Sequence, residues 1–121
     1  MNLKKVNFKE KFKKFSEHWT PKIVAEMNDY EFKLVKIQND FVWHHHELTD
    51  ETFIVLEGKM SIEFEMETIE LLEGEMIVVP RGTKHRPFSE KEAKIMIIEQ
   101  KETLNTGNTT NELTAPKNDW I

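Results

Sequence analysis

The first stretch of the chain places its aromatic residues with the period of an α-helix. Asn7 is a suitable N-cap, with Glu10 three residues later, and Pro21 would end the helix. We predict a helix over residues 7–19 that docks its aromatic face on the body of the protein. Acidic residues interleave with the lysines of the other face, which favours a solvated face over a membrane or nucleic-acid surface. The aromatic face consists of Phe8, Phe12, Phe15 and Trp19.

From residue 22 onward the pattern changes to short runs rich in Val, Ile and Phe. About eight such runs, with no segment typical of a crossover helix, predict a β-barrel or β-sandwich and argue against a parallel α/β sheet. Residues 103–118 are rich in Thr and Asn and are predicted to be a loop, with Trp120 and Ile121 as an anchor for the tail. The predicted strands are Lys22–Met27, Tyr30–Gln38, Phe41–His46, Glu51–Glu57, Lys59–Met66, Thr68–Leu72, Glu75–Val79 and Ala93–Gln100.

Two of the predicted strands differ in how much of their surface must be buried. In residues 61–66 polar and apolar side chains alternate, which is typical of one solvated and one buried face. In residues 51–56 both faces are apolar, since Phe53 points one way and Ile54 the other. Such a strand needs cover on both sides, from the aromatic helix or from a second subunit. We therefore expect a homodimer.

Composition restricts the classes of protein further. The 121 residues suit one domain, which we assign to residues 1–121, with the helix over 7–19, a barrel over 22–100 and a tail over 101–121. The absence of cysteine excludes disulfides and thiolate metal ligands, and it suits the cytoplasm. The chain has no apolar run of the roughly 18 residues that a membrane helix needs. With a net charge of −5, we expect a cytoplasmic protein that binds neither membrane nor nucleic acid.

Four residues stand out because of their type and spacing. On a strand, His44 and His46 point to the same face about 7 Å apart, so their rings can converge on one ion. A turn brings the chain back to Glu51, and His85 follows a second loop that contains Pro and Gly. Three neutral imidazoles and one carboxylate suit a divalent ion such as Zn, Fe, Mn or Ni. The predicted metal ligands are His44, His46, Glu51 and His85.

Charged residues around these ligands leave alternatives open. Arg81, Lys84 and Arg86 lie in a loop near a predicted barrel mouth. They would either bind a carboxylate or phosphate of a substrate or form an ordinary charged surface loop. Glu47 and Asp50 would either accept a hydrogen bond from a ligand imidazole or be solvated turn residues.

The two remaining histidines are predicted to lie outside the site. His45 alternates with His44 and His46, so its ring should point away from theirs, to the barrel exterior or an interface. His18 lies at the end of the predicted helix, where a cation interacts favourably with the helix dipole. We therefore expect a capping role for His18 and no chemistry.

The spacing of the glycines, the proline and the candidate ligands forms two motifs. They are His-x-His-x4-Glu-x6-Gly, from His44 to Gly58, and Gly-x5-Pro-x-Gly-x2-His, from Gly74 to His85. These motifs resemble the two conserved motifs of the cupin superfamily. The segments DETFIVLEGKMSIEF and LLEGEMIVVPRGTKHRPFSEKEAKIMIIE, together with the N-terminal helix and the tail, are similar to small single-domain bacterial cupins of the mannose-6-phosphate isomerase-like subgroup.

This resemblance implies an all-β fold. The family forms a double-stranded β-helix, in which two antiparallel sheets roll into a jelly-roll barrel, here with a short N-terminal α-helix. It also implies that the four candidate ligands bind a metal inside the barrel. Two positions depart from the family pattern: Gln38, where the first motif often begins with Gly, and Ser89, where the second often ends with Asn. Neither is a ligand position.

Two classes of function remain open at this point. In the first, one divalent ion (Zn, Fe, Mn or Ni) acts as a Lewis acid or redox centre in an isomerase or dioxygenase for a small polar or anionic metabolite. In the second, the protein is a non-catalytic small-molecule or metal-binding module, for example for sensing or storage. Cupins with all four ligands include both classes, so the fold does not choose between them. We assign no catalytic residue.

Overall fold

A computed structural model describes residues 3–121, in which one short helix precedes seven strands. This architecture confirms the predicted all-β fold class. No helix in the described part of the chain is long and apolar enough to cross a membrane. The helix α1 spans Phe8–Phe12, and the strands are β1 (Lys22–Met27), β2 (Tyr30–Asp40), β3 (Glu51–Glu57), β4 (Lys59–Glu63), β5 (Thr68–Leu72), β6 (Met76–Val79) and β7 (Arg86–Gln100).

The long strand β7 holds the sheet together. Its first part, residues 86–88, pairs with β4, and its second part, residues 94–98, pairs with β3. Strand β2 pairs with the other edge of β7. The hydrogen-bonded order is therefore β1-β2-β7-β3-β6, with β5 attached through β4, and the named strand pairs are antiparallel. The seven strands therefore form one continuous hydrogen-bonded sheet, joined by β7, and not two separate sheets.

One apolar core lies inside this network, because every strand from β2 to β7 contributes side chains to it. On several strands the contributing residues are two positions apart, as expected when alternate side chains face inward. The sheet therefore rolls around its own core, as in a barrel. The buried strand residues of this core are Val35, Ile37, Phe53, Val55, Met60, Ile62, Leu71, Val79, Ala93, Ile95 and Ile97.

The outer face of β3 is covered by the N-terminal segment of the same chain. Ile54 and Leu56 pack against a second apolar cluster that contains the buried rings of Phe12 and Phe15. The cover that the two-faced pattern of β3 required is thus supplied from within the chain. That pattern gives no separate reason for a second subunit, and the homodimer stays a prediction.

The predicted helix over residues 7–19 is wrong in its extent. The predicted N-cap is observed, because Asn7 accepts a hydrogen bond of 2.9 Å from the backbone N–H of Glu10. However, α1 ends at Phe12, and Lys13 is its C-cap. A short helix is only marginally stable by itself, so packing against the sheet decides where this one stops.

Beyond α1 the aromatic residues are buried by docking on β2. The backbone of Trp19 has a φ of 61°, and its N–H donates to the carbonyl of Lys36 at 2.9 Å. Phe15 and Trp19 are both buried, although neither lies in a helix. The predicted capping role of His18 is also wrong, since this residue lies outside α1 and its Nε2 is 2.7 Å from the carboxylate of Glu92.

One predicted strand is absent from the structure, and another begins earlier than predicted. The strand predicted over Phe41–His46 is wrong, because this segment contributes only an isolated bridge between His44 and His85. Strand β7 begins at Arg86 and not at Ala93. Pro87 lies within this strand, and its carbonyl accepts a hydrogen bond of 2.9 Å from the N–H of Phe41. Proline removes only a donor, so it is tolerated here.

The C-terminal tail is a loop, as predicted, and its last residues anchor it. Trp120 forms a bridge with Ile23, and the N–H of Ile121 donates to the carbonyl of Ile23 at 3.1 Å. The side chain of Ile121 packs on the apolar cluster around Phe12. The end of the chain is therefore attached to β1 and the helix, which leaves the middle of the tail to lie across the barrel.

Candidate metal centre

The four predicted metal ligands come together inside the barrel. His44, His46, Glu51 and His85 are at most 6% exposed. One ligand atom from each of the four lies within 4.8 Å of the others. The structure thus brings together the residues that the sequence predicted, from two loop segments and the first residue of β3. Metal binding by them stays a prediction.

Backbone hydrogen bonds explain how irregular segments place the three imidazoles. The N–H of His44 donates to the carbonyl of His85 at 3.0 Å, and the reverse bond is 2.9 Å long. The carbonyl of His46 accepts from the N–H of Gly82 at 2.7 Å. Both histidine segments are therefore tied directly to each other, although neither segment forms a continuous strand.

Side-chain hydrogen bonds determine which ring nitrogen is free to bind an ion. Nδ1 of His44 lies 2.9 Å from the carbonyl oxygen of Val42, and Nδ1 of His85 lies 2.8 Å from that of Thr83. A carbonyl can only accept, so Nδ1 carries the hydrogen in both rings. In the neutral imidazoles Nε2 is then an unprotonated acceptor, which is the form that binds metal ions.

The centre of the cluster is poor in hydrogen-bond donors. Nε2 of His46 and Nε2 of His85 each lie 3.3 Å from the same oxygen of Glu51. With neutral rings these contacts bring lone pairs together, and Nε2 of His46 is buried without a hydrogen-bond partner. Buried polar atoms normally have partners. A divalent cation would satisfy all four groups at once, so the residues fit a metal ion.

Burial and neighbouring charges favour the protonation states that bind metal. Burial, followed by the proximity of His85, lowers the pKa of His44 to about 4. For Glu51, burial raises the pKa, but hydrogen bonds from His46 and His85, which need a hydrogen on Nε2 of each ring, outweigh it and hold the pKa well below its usual range. At neutral pH the cluster therefore offers a neutral imidazole at His44 and an ionised carboxylate at Glu51.

Two spaces of different size border the cluster. A cavity of about 30 Å³ inside the barrel is lined by His44, Glu51 and Glu99, and otherwise largely by apolar side chains such as Phe53. This volume holds about one water-sized group. His46 instead borders an open cleft of about 530 Å³ between the histidine segment and the tail. The site thus has a narrow, mostly apolar inner side and a wide outer side.

A buried charged cluster next to this site was missed by sequence reasoning. Nζ of Lys33 lies 2.9 Å from Glu99 and 3.9 Å from Glu31, and all three residues are at most 3% exposed. Burial, and then the adjacent carboxylate of Glu51, raise the pKa of Glu99 well above its usual range. A signal was present, because Glu99 follows Ile95 and Ile97 at alternate, inward-facing positions of β7, where an acid is unusual.

The two acidic residues that flank the ligands contact other groups. Asp50 accepts hydrogen bonds from the backbone N–H of Arg81 at 2.9 Å and from its Nε at 3.3 Å. Glu47 lies 2.8 Å from Nε2 of His45. Neither therefore contacts a candidate ligand in these hydrogen bonds: Glu47 is exposed, Asp50 is half-buried, and both bind neighbours outside the cluster. His45 pairs outward with Glu47, as expected for a ring that points away from the ligands.

The other candidate substrate-binding cations lie near one aromatic ring outside the cluster. Nζ of Lys84 and the guanidinium of Arg86 each lie 5.9 Å from the ring centre of Trp43. Arg86 also pairs with Glu63 and, at 3.5 Å, with Asp40. Like Arg81, Lys84 and Arg86 form no hydrogen bond with the four candidate ligands in the part of the chain that the structure describes. Their role with a substrate stays a prediction.

Comparison with known proteins places the site in a family. The cupin domain family matches residues 32–99, which include all four candidate ligands. A crystal structure of a cupin-2 domain-containing protein from Shewanella frigidimarina NCIMB 400 is 53% identical, has a TM-score of 0.78 and covers 79% of this chain and 94% of its own. Protein NMB1881 from Neisseria meningitidis is 34% identical, with a TM-score of 0.74 and coverage of 80% and 99%. The uncharacterized protein YdbB from Bacillus subtilis (strain 168) is 36% identical and covers 76% and 85%.

Proposed function

This chain belongs to the cupin domain family, and from that premise we propose that it is a metal-binding cupin that acts on a small polar or anionic metabolite. One observation carries the proposal. Three imidazoles and one carboxylate meet in a buried cluster in which Nε2 of His46 has no hydrogen-bond partner. Leaving such a cluster without a cation is costly, because buried acceptors need a partner. We propose one divalent ion: Zn, Fe, Mn or Ni.

The residues of the barrel define what this site can do. When bound, the ion would supply Lewis-acid or redox chemistry, which suits isomerisation of a sugar or enolisable acid, or oxidation with dioxygen. His44 and His85 would hold it through rings whose orientation is fixed by Val42 and Thr83. The apolar walls exclude bulk water, and the cavity of about 30 Å³ admits only the small reacting end of a ligand. We favour the isomerase form because the sequence motifs resemble those of mannose-6-phosphate isomerase-like cupins.

For an anionic group of the metabolite, Lys84 is a better candidate than Arg81 or Arg86. The guanidinium of Arg81 already binds Asp50, and that of Arg86 binds Glu63 and Asp40. Lys84 forms no ion pair within the described residues. We propose that Lys84 binds the anionic group, which predicts weaker ligand binding in Lys84→Met than in Arg81→Met.

The second candidate function is non-catalytic metal or small-molecule binding. The small inner cavity of about 30 Å³ is compatible with it, because that space holds about one water-sized group, and a larger metabolite would have to bind from the wide cleft that borders His46. A sensing or storage module needs only the ion or a very small ligand at this position. Turnover by the metal-loaded protein would exclude this alternative.

A metal titration tests the proposal. Chelator-stripped protein should bind one equivalent of Zn²⁺, Mn²⁺, Fe²⁺ or Ni²⁺ per chain, as measured by calorimetry and elemental analysis. The matched control is His45→Ala, which removes an imidazole that points away from the cluster. Purified protein without stoichiometric metal, together with no binding on addition, would contradict the proposal. If the native metal is iron or manganese, dioxygen uptake separates oxidation from isomerisation.

We also propose a cytoplasmic homodimer. Leu72, Met76 and Val78 lie on β5 and β6, on either side of one turn, and about half of each side chain is exposed. Exposed apolar residues grouped in this way are typical of an interface. Light scattering that shows a monomer at working concentration would contradict the dimer.

A further inference from the structure

The tail of the chain forms hydrogen bonds directly with the segment that carries two candidate ligands. The N–H of His45 donates to Oδ1 of Asn108 at 2.8 Å, and the N–H of Asn108 donates to the carbonyl of His45 at 3.1 Å. On an extended segment, adjacent residues present their backbone groups to opposite edges. His44 pairs with His85 on one edge, and His45 pairs with the tail on the other. The segment is therefore held from both sides.

Gly107 allows this close approach. Its φ is +57°, and an added Cβ would overlap the carbonyl oxygen of His45. The same Cβ would lie 3.0 Å from the carbonyl carbon of His45 and 3.2 Å from Cδ2 of the His44 ring. Any side chain at position 107 therefore pushes against both the backbone and a candidate ligand ring.

The tail is braced well enough to act as a support. Nδ2 of Asn105 donates to the carbonyl of Trp19 at 3.0 Å, and its Oδ1 accepts from the N–H of Ala115 at 2.9 Å. Thr106 is fully buried, and its hydroxyl lies 2.8 Å from that of Thr114. Asn105 and Thr106, which come just before the contact with His45, are thus fixed to Trp19 and to residues 114 and 115 of the tail. The family match ends at residue 99, so this support lies outside the matched domain.

We propose that Gly107 and Asn108 are positioning residues of the metal centre. Residues 104–109, here called the tail clamp, set the position of the backbone that carries His44 and His46. The inference rests on the proposed function, because it presupposes that these histidines bind a metal. Groups that orient metal ligands change metal affinity by about 10–100-fold when they are lost. The tail clamp should have an effect of this size.

A pair of glycine variants separates positioning from backbone strain. Gly107→Ala and Gly74→Ala both place a Cβ at a positive φ, of +57° and +85°. At Gly74 the new Cβ meets nothing within 4 Å, whereas at Gly107 it meets the ligand segment. We expect Co²⁺ affinity to fall about 10–100-fold in Gly107→Ala, with an altered visible absorption spectrum of the Co²⁺ form. Gly74→Ala should keep the affinity and spectrum of the wild type.

A second set of variants covers the case in which Gly107→Ala fails to fold. Asn108→Ala removes the acceptor of the His45 N–H, Asn108→Asp keeps an oxygen at that position, and exposed Asn118→Ala is the matched control. In Asn108→Ala the His45 amide should exchange with solvent faster and Co²⁺ affinity should fall, and Asn108→Asp should restore both. Equal affinities in all three variants would overturn the tail clamp. No Co²⁺ binding by the wild type would instead overturn the proposed function.

Discussion

Two buried polar clusters lie side by side in this barrel, and they differ in one respect. The cluster of Lys33, Glu31 and Glu99 contains its own cation, since Nζ of Lys33 lies 2.9 Å from Glu99. The cluster of His44, His46, Glu51 and His85 contains no lysine or arginine. Both clusters are at least nine-tenths buried, so both pay the desolvation penalty of polar groups in an apolar interior.

The presence or absence of a lysine gives the two clusters different roles in our proposal. Where the chain supplies a lysine, the charges are compensated within the fold, and the cluster can be structural. Where the chain supplies imidazoles and a carboxylate but no lysine or arginine, we propose that a cation from outside provides the compensation. The two clusters touch through the carboxylates of Glu99 and Glu51, so the structural cluster also forms the wall of the site.

The largest effect should follow from removing the cation of the structural cluster. Lys33→Met leaves the buried carboxylates of Glu31 and Glu99 unpaired, which should lower the free energy of unfolding by about 3–5 kcal/mol. Urea denaturation of the metal-free protein measures this loss. The matched control is Lys59→Met, because Lys59 is exposed and lies 4.0 Å from Glu70 at the surface, so its loss should change little. Equal stability of the two variants would mean that Lys33 does not compensate the buried acids.

Removing one imidazole of the other cluster should weaken metal binding and leave the fold intact. His46→Ala should lower metal affinity about 100-fold, or about 2.7 kcal/mol, because one of four ligands is lost. Its β signal in circular dichroism should stay, since the four candidate ligands are not among the apolar residues that form the core. Calorimetric titration and far-ultraviolet spectra check both points. Loss of the β signal would show that the ion is structural, and an unchanged affinity would remove His46 from the ligand set.

Supplying the missing cation should stabilise the wild type by mass action. A metal that binds only the folded state adds about 1.4 kcal/mol to the free energy of unfolding at ten times its Kd. Zn²⁺ or Mn²⁺ at that concentration should therefore raise the urea midpoint of the wild type. The same addition to His46→Ala should raise it much less. A midpoint that does not respond to any of the divalent ions would contradict the contrast between the two clusters.

The sequence was most informative where an interaction is local. His44 and His46 are two residues apart, so their approach could be predicted from the spacing itself. The meeting of Glu51 with His85, which are 34 residues apart, instead followed from the resemblance of the two motifs to cupins. Period-two patterns likewise predicted most strands, because the alternation of side chains is a property of the strand itself. These features need no knowledge of the rest of the fold.

The sequence was least informative where distant segments decide the outcome. The end of α1 depends on Trp19 docking against Lys36, and the periodic aromatic pattern carries no trace of that contact. The pairing of Lys33 with Glu99 joins β2 to β7. Similarly, the contact of Asn108 with His45 brings the tail onto the histidine segment, so only the folded topology reveals it.

The smallest effect should come from the exposed ion pair beside the site. Arg81 and Asp50 are paired at 3.3 Å, but both side chains are largely exposed, so solvent screens the pair. Arg81→Ala also leaves intact the backbone N–H that donates to Asp50 at 2.9 Å. We expect no measurable change in the urea midpoint or in metal affinity, in contrast to Lys33→Met and His46→Ala. A large loss of metal affinity in Arg81→Ala would show that the outer loop, and not burial alone, organises the ligand cluster.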